Sequence, residues 1–133
     1  MEERSVGSIR FSLDLSQPLY EQIVRQLSGA IARGDLMLGE KIPSVRVLAQ
    51  ALKITPNTVM RAFQELERDG LIETHRGHGT FVTASGTRVQ EFRAKLGKEW
   101  ASEILARLRS LEFSSDEIRK LIPLPNKDTP PHK

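Results

Sequence analysis

Cysteine is absent from the 133-residue chain. Its absence excludes disulfides, zinc sites built on cysteine, iron–sulfur clusters and a thiol nucleophile, and it is compatible with a reducing compartment. Long apolar runs are absent too, so no membrane-spanning helix is predicted. The first residues, Met1-Glu2-Glu3-Arg4, lack the apolar core of a signal peptide, and we therefore expect a cytoplasmic protein.

Histidine is scarce, with His75, His78 and His132 as the three in the chain. A metal site at His75 and His78 would lie on an exposed turn, with no cysteine and few carboxylates nearby. Neither a nucleophile–base pair nor a pair of catalytic carboxylates can be assembled from the sequence. We therefore expect no enzyme activity, no metal and no cofactor.

Basic and acidic residues nearly balance, with 20 Lys and Arg against 17 Asp and Glu, which gives a net charge of +3. Because nucleic-acid binders concentrate their charge locally, this total says little about a partner. The length allows one domain with an appendage and excludes a large two-domain enzyme. The positions of individual basic residues therefore matter more than their number.

A strand and a helix are predicted near the start of the chain. Residues 9–13 alternate between apolar and polar, which is typical of an edge strand. Apolar residues recur at helical spacing over 18–33, with Ser16 as the expected N-cap and Gly34 as the end of the helix. Residues 34–43 contain two glycines and a proline and are predicted to form a loop.

Two helices joined by a short turn are predicted next. Ser44 stands where it can cap the first of them. Thr55 stands where it can cap the second, with Pro56 at the first helical position, and Asp69-Gly70 ends that helix. The connection, residues 53–55, has the length of the turn in a helix-turn-helix.

A β-hairpin follows these helices. Its strands are predicted over 71–74 and 80–84, joined by the glycine-bearing turn 75–79. Helix, helix, short turn, helix and hairpin is the order of a winged helix-turn-helix, in which the last helix enters the DNA major groove. We therefore predict a mostly α fold with a small β-hairpin, forming a DNA-binding domain over residues 9–84.

A short helical dimerisation region is predicted over residues 88–122, after a linker at 85–88. Its long helix, about 88–111, carries an apolar stripe formed by Phe92, Leu96, Trp100, Ile104 and Leu108. A lone helix cannot bury such a stripe, so pairing with a second copy is the simplest prediction, with ligand stacking on Trp100 as the alternative. Ser114 is expected to cap a short final helix, and the proline-containing tail, residues 123–133, is predicted to be disordered.

Polar residues lie where a winged helix meets DNA. In the third helix, Asn57 can read adenine, Arg61 can read guanine or contact phosphate, and Thr58 can contact a thymine methyl group or phosphate. At the start of the second helix, Ser44 and Arg46 can bind phosphate through a hydroxyl, a guanidinium and free backbone N–H groups.

The hairpin tip and the helix cap add three further candidates. Arg76 and Gly77 can reach into the adjacent minor groove, where a cation is favoured and glycine allows close approach. Thr55 can touch phosphate while it caps the third helix. Each candidate has a structural alternative, because the helix-start residues can simply satisfy free N–H groups and the arginines can be solvated surface residues.

Five stretches have the spacing of one known family. They are Pro18–Ile23, Gly39–Ala49, Thr55–Phe63, Glu67–Ile72 and Arg76–Val82. Together they resemble the GntR family of bacterial transcription regulators over about residues 16–83. The Pro-Asn-Thr-Val form at residues 56–59 and the short C-terminal region resemble its YtrA-like subfamily.

This resemblance implies double-stranded DNA as the partner and a small helical dimerisation region in place of a ligand-binding domain. Carried over by position, the DNA contacts of the family fall on Ser44, Arg46, Thr55, Asn57, Thr58, Arg61 and Gly77. Met60 departs from some relatives, which place a DNA-contacting arginine there. The subfamily resemblance also implies repression of transport-related operons.

We therefore predict a sequence-specific transcription regulator, a repressor, that binds a palindromic operator as a homodimer. The alternative is a winged-helix module that docks proteins without sequence-specific DNA binding. Acidic or apolar groups on the outer face of the third helix would favour that alternative, whereas the sequence places Asn57, Thr58 and Arg61 there. The sequence identifies no small-molecule effector.

Overall fold

The computed structural model of the protein describes residues 2–7 and 9–125. The chain divides into two compact units, residues 1–94 and 95–133. Within the described residues, no helix is long and apolar enough to cross a membrane. The predicted class, mostly α with a small β component, is confirmed, and each unit is described by itself below.

The first unit opens with a β-hairpin. Strand β1 (Glu2–Val6) pairs antiparallel with β2 (Ile9–Leu13), from Glu2 opposite Leu13 to Val6 opposite Ile9. The alternation in β2 is that of a half-buried strand, because its three apolar side chains are buried and Arg10 is exposed. Strand β2 was predicted from this pattern, whereas β1 was not.

Helix α1 (Leu19–Arg33) holds β2 through two glutamines. The Gln26 amide accepts from the backbone N–H of Ser12 at 2.9 Å and donates to its carbonyl at 2.6 Å. The buried Gln22 amide bonds the backbone of Asp14 in the same way, at 2.7 and 2.8 Å. Backbone groups of Ser12 in β2 and of Asp14, which follows β2, are thereby hydrogen-bonded by side chains, as buried polar groups require.

The start of α1 differs from the prediction that Ser16 caps it. Pro18 holds the N-cap position, and no side chain caps the helix. Ser16 instead bonds to the Asp14 carboxylate, with its hydroxyl donating at 2.7 Å and its N–H at 3.1 Å. The Ser16 hydroxyl therefore bonds to Asp14 and not to the free N–H groups at the start of α1. Gly34 ends α1 as predicted.

Helices α2 (Val45–Leu52) and α3 (Pro56–Arg68) form the predicted helix-turn-helix. Ser44 Oγ caps α2 by accepting from Val47 N at 3.2 Å, and Thr55 Oγ1 caps α3 by accepting from Thr58 N at 3.4 Å. The turn between the helices passes through Lys53, whose backbone is left-handed with φ 58° and ψ 46°.

A three-stranded antiparallel sheet follows the helices. It has the order β3 (Lys41–Ile42), β5 (Gly79–Val82), β4 (Ile72–His75), and β4 and β5 form the predicted hairpin. The predicted loop over 34–43 therefore ends in a strand, with Ile42 paired opposite Thr80. Two residues are too few to show the alternation from which a strand is predicted.

One apolar core joins these elements. It is formed by side chains from both sheets and from α1, α2 and α3, which include Phe11, Leu13, Ile23, Leu27, Leu48, Leu52, Leu66 and Leu71. Burial of a leucine side chain of this kind stabilises the fold by about 1.5–3 kcal/mol. Arg4 of β1 adds a polar link, because its guanidinium donates to the Leu52 carbonyl at the end of α2 and also pairs with Glu2.

Helix α4 (Gly86–Ser110) begins shortly after β5, and the boundary between the two units falls within it, after Ala94. The predicted linker at 85–88 is therefore its start, where Ser85 Oγ accepts from Arg88 N at 3.1 Å. Val89 is buried and Phe92 packs against the core of the first unit.

Helix α5 (Ser115–Leu121) begins with the predicted Ser114 cap. Ser114 Oγ accepts from Glu117 N at 3.2 Å, and the Glu117 carboxylate accepts from Ser114 N at 2.8 Å, which is a capping box. Residues 123–125 are neither helix nor strand. The rest of the predicted disordered tail, residues 126–133, lies outside the described residues.

The left-handed backbone at Lys53 is expected to lower the stability of the fold. A side chain with a Cβ atom disfavours this conformation by about 1–2 kcal/mol, and glycine adopts it freely. We expect Lys53→Gly to raise the free energy of unfolding by about 1 kcal/mol in urea denaturation, whereas Lys53→Ala, which removes the charge but keeps Cβ, leaves it nearly unchanged. Equal stability of the two variants would contradict a strained turn.

Candidate nucleic-acid interface

One face of α3 is apolar and buried, and the opposite face is polar and exposed. Val59, Ala62 and Leu66 have no exposed surface, which fixes the rotation of the helix about its axis. Asn57 and Arg61, four residues apart, therefore lie together on the exposed side. This side is the one that a recognition helix turns toward base edges.

The exposed side of α3 extends beyond the predicted residues. Gln64 is exposed and lies one turn after Arg61, so it continues the same polar face. Met60 beside it is 44% exposed. Gln64 can read adenine as Asn57 can, and its spacing from Asn57 is the sequence signal that would have identified it.

Two threonines at the start of α3 bind each other. The hydroxyls of Thr55 and Thr58 lie 2.8 Å apart, in addition to the cap from Thr58 N to Thr55. Thr55 is exposed and Thr58 half-buried. Both side chains therefore help to form the helix start, and each hydroxyl can also accept or donate one further hydrogen bond.

The start of α2 presents a second polar group. Ser44 and Arg46 are exposed. Among residues 2–7 and 9–125, the ion pairs do not include Arg46, Arg61 or Arg76. The positive charges of these arginines are therefore not neutralised by a neighbouring carboxylate of the described chain, and they are available to an external anion.

The connection from β3 to α2 places Ser44 and Arg46 beside the wing, which is the hairpin formed by β4 and β5. Ile42 of β3 pairs with Thr80 of β5, and Ser44 follows only two residues later. The side chain of Lys41 lies across Gly79, because a Cβ atom there would stand 2.7 Å from Lys41 Cε. Lys41 is thus an exposed basic residue at the base of the wing that the sequence reading missed, because its own strand, β3, was predicted as a loop.

The tip of the wing carries the two predicted residues. Arg76 and Gly77 are both exposed in the turn between β4 and β5. Gly77 has φ 82°, with open space around the position of a Cβ atom, so the backbone and not crowding favours glycine here. Both residues are placed where an approaching backbone or groove can contact them.

One of the two wing histidines, His75, has side-chain partners within the sheet. His75 Nε2 forms a hydrogen bond with the Glu73 carboxylate at 3.0 Å, and its ring lies 5.0 Å from that of Phe81. The hydrogen bond from His75 holds the pKa of the Glu73 carboxyl below its ordinary value. No group of three or more His, Asp or Glu that could hold a metal ion occurs in the described part of the chain.

Tyr20 is the least expected neighbour of the predicted DNA-binding residues. The guanidinium carbon of Arg61 lies 3.8 Å from the centroid of the Tyr20 ring, which is the geometry of a cation–π interaction. Tyr20 lies in the first turn of α1 and is half-buried. The sequence gives no signal of this contact because the two residues are far apart in the chain.

The second unit presents apolar residues rather than polar ones. Trp100 is 51% exposed and Ile104 50% exposed, and Leu96 and Leu108 are half-buried. Phe92, the first member of the predicted stripe, belongs to the first unit and packs against its core. Phe92 therefore has a contact within the protomer that the stripe alone does not indicate.

Comparisons with known proteins agree with this architecture. The family model described as bacterial regulatory proteins, gntR family, matches residues 19–82. The HTH-type transcriptional regulator YhcF of Bacillus subtilis (strain 168) is 37% identical over 103 residues, which cover 77% of this chain and 85% of YhcF. The HTH-type transcriptional repressor YtrA of the same organism is 37% identical over 107 residues, which cover 80% of each chain.

A solved structure shows the same fold at similar identity. The GntR family transcriptional regulator from Listeria monocytogenes matches with a TM-score of 0.75 and 31% sequence identity, covering 82% of this chain and 96% of that one. Sequence and structure therefore agree over both the helix-turn-helix and the following helical region. The chain belongs to the GntR family of DNA-binding transcription regulators and is similar to its YtrA members.

Proposed function

We propose that the protein is a repressor that binds a palindromic operator as a homodimer. The observation that carries this proposal is the set of unpaired arginines on α2, α3 and the wing, because each belongs to an element that a winged helix uses against DNA. The similar YtrA protein is named a transcriptional repressor, which supports repression rather than activation.

In this proposal α3 enters the major groove. Asn57 reads an adenine and Arg61 a guanine, since their side chains match the donor and acceptor patterns of these bases. Thr55 and Thr58 form the helix start and contact a phosphate or a thymine methyl group with their remaining capacity. The packed face of α3 keeps these groups at a fixed orientation.

Phosphate contacts surround this reading helix. Ser44 and Arg46 at the start of α2 bind one phosphate, and Lys41 at the base of the wing binds another. Arg76 and Gly77 at the wing tip enter the adjacent minor groove. These contacts supply affinity without sequence preference, so the salt dependence of binding is expected to be steep.

The exposed apolar residues of α4 form the dimer interface. An exposed Trp100 with Ile104 beside it one turn away is a surface that a second copy of α4 can cover. A two-fold dimer matches a palindromic operator, with half-sites separated by about one helical turn or a multiple of it. Occupation of such an operator at a promoter blocks RNA polymerase, which is how we expect repression to arise.

Removal of Arg46 tests the phosphate contacts. We expect Arg46→Ala to weaken binding by about tenfold or more on every DNA sequence, because a hydrogen bond to a charged group contributes about 1.5–3 kcal/mol. The slope of log affinity against log salt should fall by about one for each Arg46 removed. Fluorescence anisotropy titrations measure both, with Arg107→Ala, an exposed arginine of α4, as the matched control. Equal effects of the two substitutions would refute the assignment.

Selection from a random DNA pool tests the operator. We expect the wild-type protein to enrich an inverted repeat, and Asn57→Ala to enrich the same repeat with one position in each half-site relaxed, because the base pair read by Asn57 loses its partner. An asymmetric motif would contradict dimeric binding. Enrichment of no motif would favour the interaction-module alternative.

Truncation of Trp100 tests the dimer interface. We expect Trp100→Ala to raise the dimer dissociation constant about 30-fold or more in sedimentation equilibrium, since central aromatic residues contribute 2 kcal/mol or more to an interface. Met37→Ala, which removes an apolar side chain that is 70% exposed in the first unit, is the control and should leave the constant unchanged. A monomeric wild-type protein at all concentrations would refute the interface.

A further inference from the structure

Arg61 is held by an aromatic ring and not by an acid. Its guanidinium carbon lies 3.8 Å from the ring centroid of Tyr20, which belongs to another helix. The obvious partner within α3 would be Glu65, four residues further on. Glu65 instead pairs with Arg68 at 3.6 Å, and the described residues provide no ion pair for Arg61.

The kind of partner decides what Arg61 can still do. A carboxylate would neutralise the guanidinium and occupy the N–H groups along one of its edges. The Tyr20 ring is uncharged and supplies no carboxylate oxygen, so the guanidinium keeps its positive charge and its N–H donors are not taken by an acid. Arg61 therefore remains able to donate two parallel hydrogen bonds, which is what recognition of the O6 and N7 atoms of guanine requires.

The contact also restricts a flexible side chain before DNA arrives. An exposed arginine has many rotamers, and binding must select one of them. Tyr20 lies in the first turn of the 15-residue helix α1 and is half-buried, so its ring has a fixed place from which to hold Arg61. Preorganisation of this kind favours binding only where Arg61 makes an oriented contact.

We propose that Tyr20 is a positioning residue for DNA recognition, which orients the Arg61 guanidinium for bidentate reading of a guanine. This inference rests on the proposed function, which places α3 in the major groove. Tyr20 acts through Arg61 and makes no base contact itself. It therefore affects discrimination at one base pair of each half-site, and it leaves binding to unrelated DNA unchanged.

A double-variant cycle on the full-length protein tests the proposal. Tyr20→Leu removes the ring face and Tyr20→Phe keeps it. Each is combined with Arg61→Ala, and anisotropy titrations compare the selected operator with one substituted at the base pair whose preference Arg61→Ala relaxes. The readout is the ratio of the two affinities for a single preparation, which does not depend on the fraction of protein that is folded.

We expect Tyr20→Leu to lower this ratio about two- to fivefold, which is the size of an exposed cation–π interaction. Tyr20→Phe should keep the wild-type ratio, and Tyr20→Leu should have no effect on the ratio when Arg61 is already alanine. Affinity for unrelated DNA should be equal for wild type, Tyr20→Leu and Tyr20→Phe. In the free protein, the Arg61 Nε–H resonance should lose its ring-current shift in Tyr20→Leu and keep it in Tyr20→Phe.

Three results would overturn the inference in distinguishable ways. An unchanged ratio in Tyr20→Leu, with Arg61→Ala still relaxing the base preference, refutes the role of Tyr20 and leaves the proposed function standing. If Tyr20→Leu lowers the affinity for the operator by the same factor with and without Arg61, Tyr20 has a structural role only. Absence of base discrimination in the wild-type protein refutes both proposals together.

Discussion

Packing of the apolar face of α3 is the constraint on which the proposed DNA-binding surface depends. Val59, Ala62 and Leu66 are fully buried, and rotation of the helix about its axis would expose all three to water. That burial directs Asn57, Arg61 and Gln64 outward. The apolar contacts thus determine the orientation of the polar groups on the opposite face, so a core substitution beneath α3 is expected to disturb the proposed recognition as well as stability.

Side-chain amides of α1 form hydrogen bonds with backbone groups of the N-terminal hairpin and of the residue that follows it. From α1, Gln26 bonds the backbone of β2 and Gln22 bonds the backbone of Asp14 just after it. Arg4 of β1 donates to the last carbonyl of α2. These links join the hairpin to both α1 and the helix-turn-helix. Helix α1 also carries Tyr20, which contacts Arg61 of α3, so α1 contacts both the hairpin and α3.

Local signals were sufficient to predict the helix-turn-helix. The caps at Ser44 and Thr55 and the apolar spacing of α3 are encoded within a few residues, and the structure confirms them. Strand β1 was missed because it is largely charged, although its partner β2 is the adjacent strand. Strand β3 was missed because it has two residues and is defined by pairing with the distant β5. The Tyr20–Arg61 contact was missed for the same reason: no periodicity within one segment reports a contact between two helices.

The left-handed backbone at Lys53 relates stability to electrostatics. A glycine at this position would relax the backbone but would carry no charge, whereas lysine retains an exposed cation between α2 and α3. In that turn, conformational strain and positive potential therefore come together in one residue. If the cation assists the approach to DNA, selection for association and selection for a more stable chain act on this residue in opposite directions.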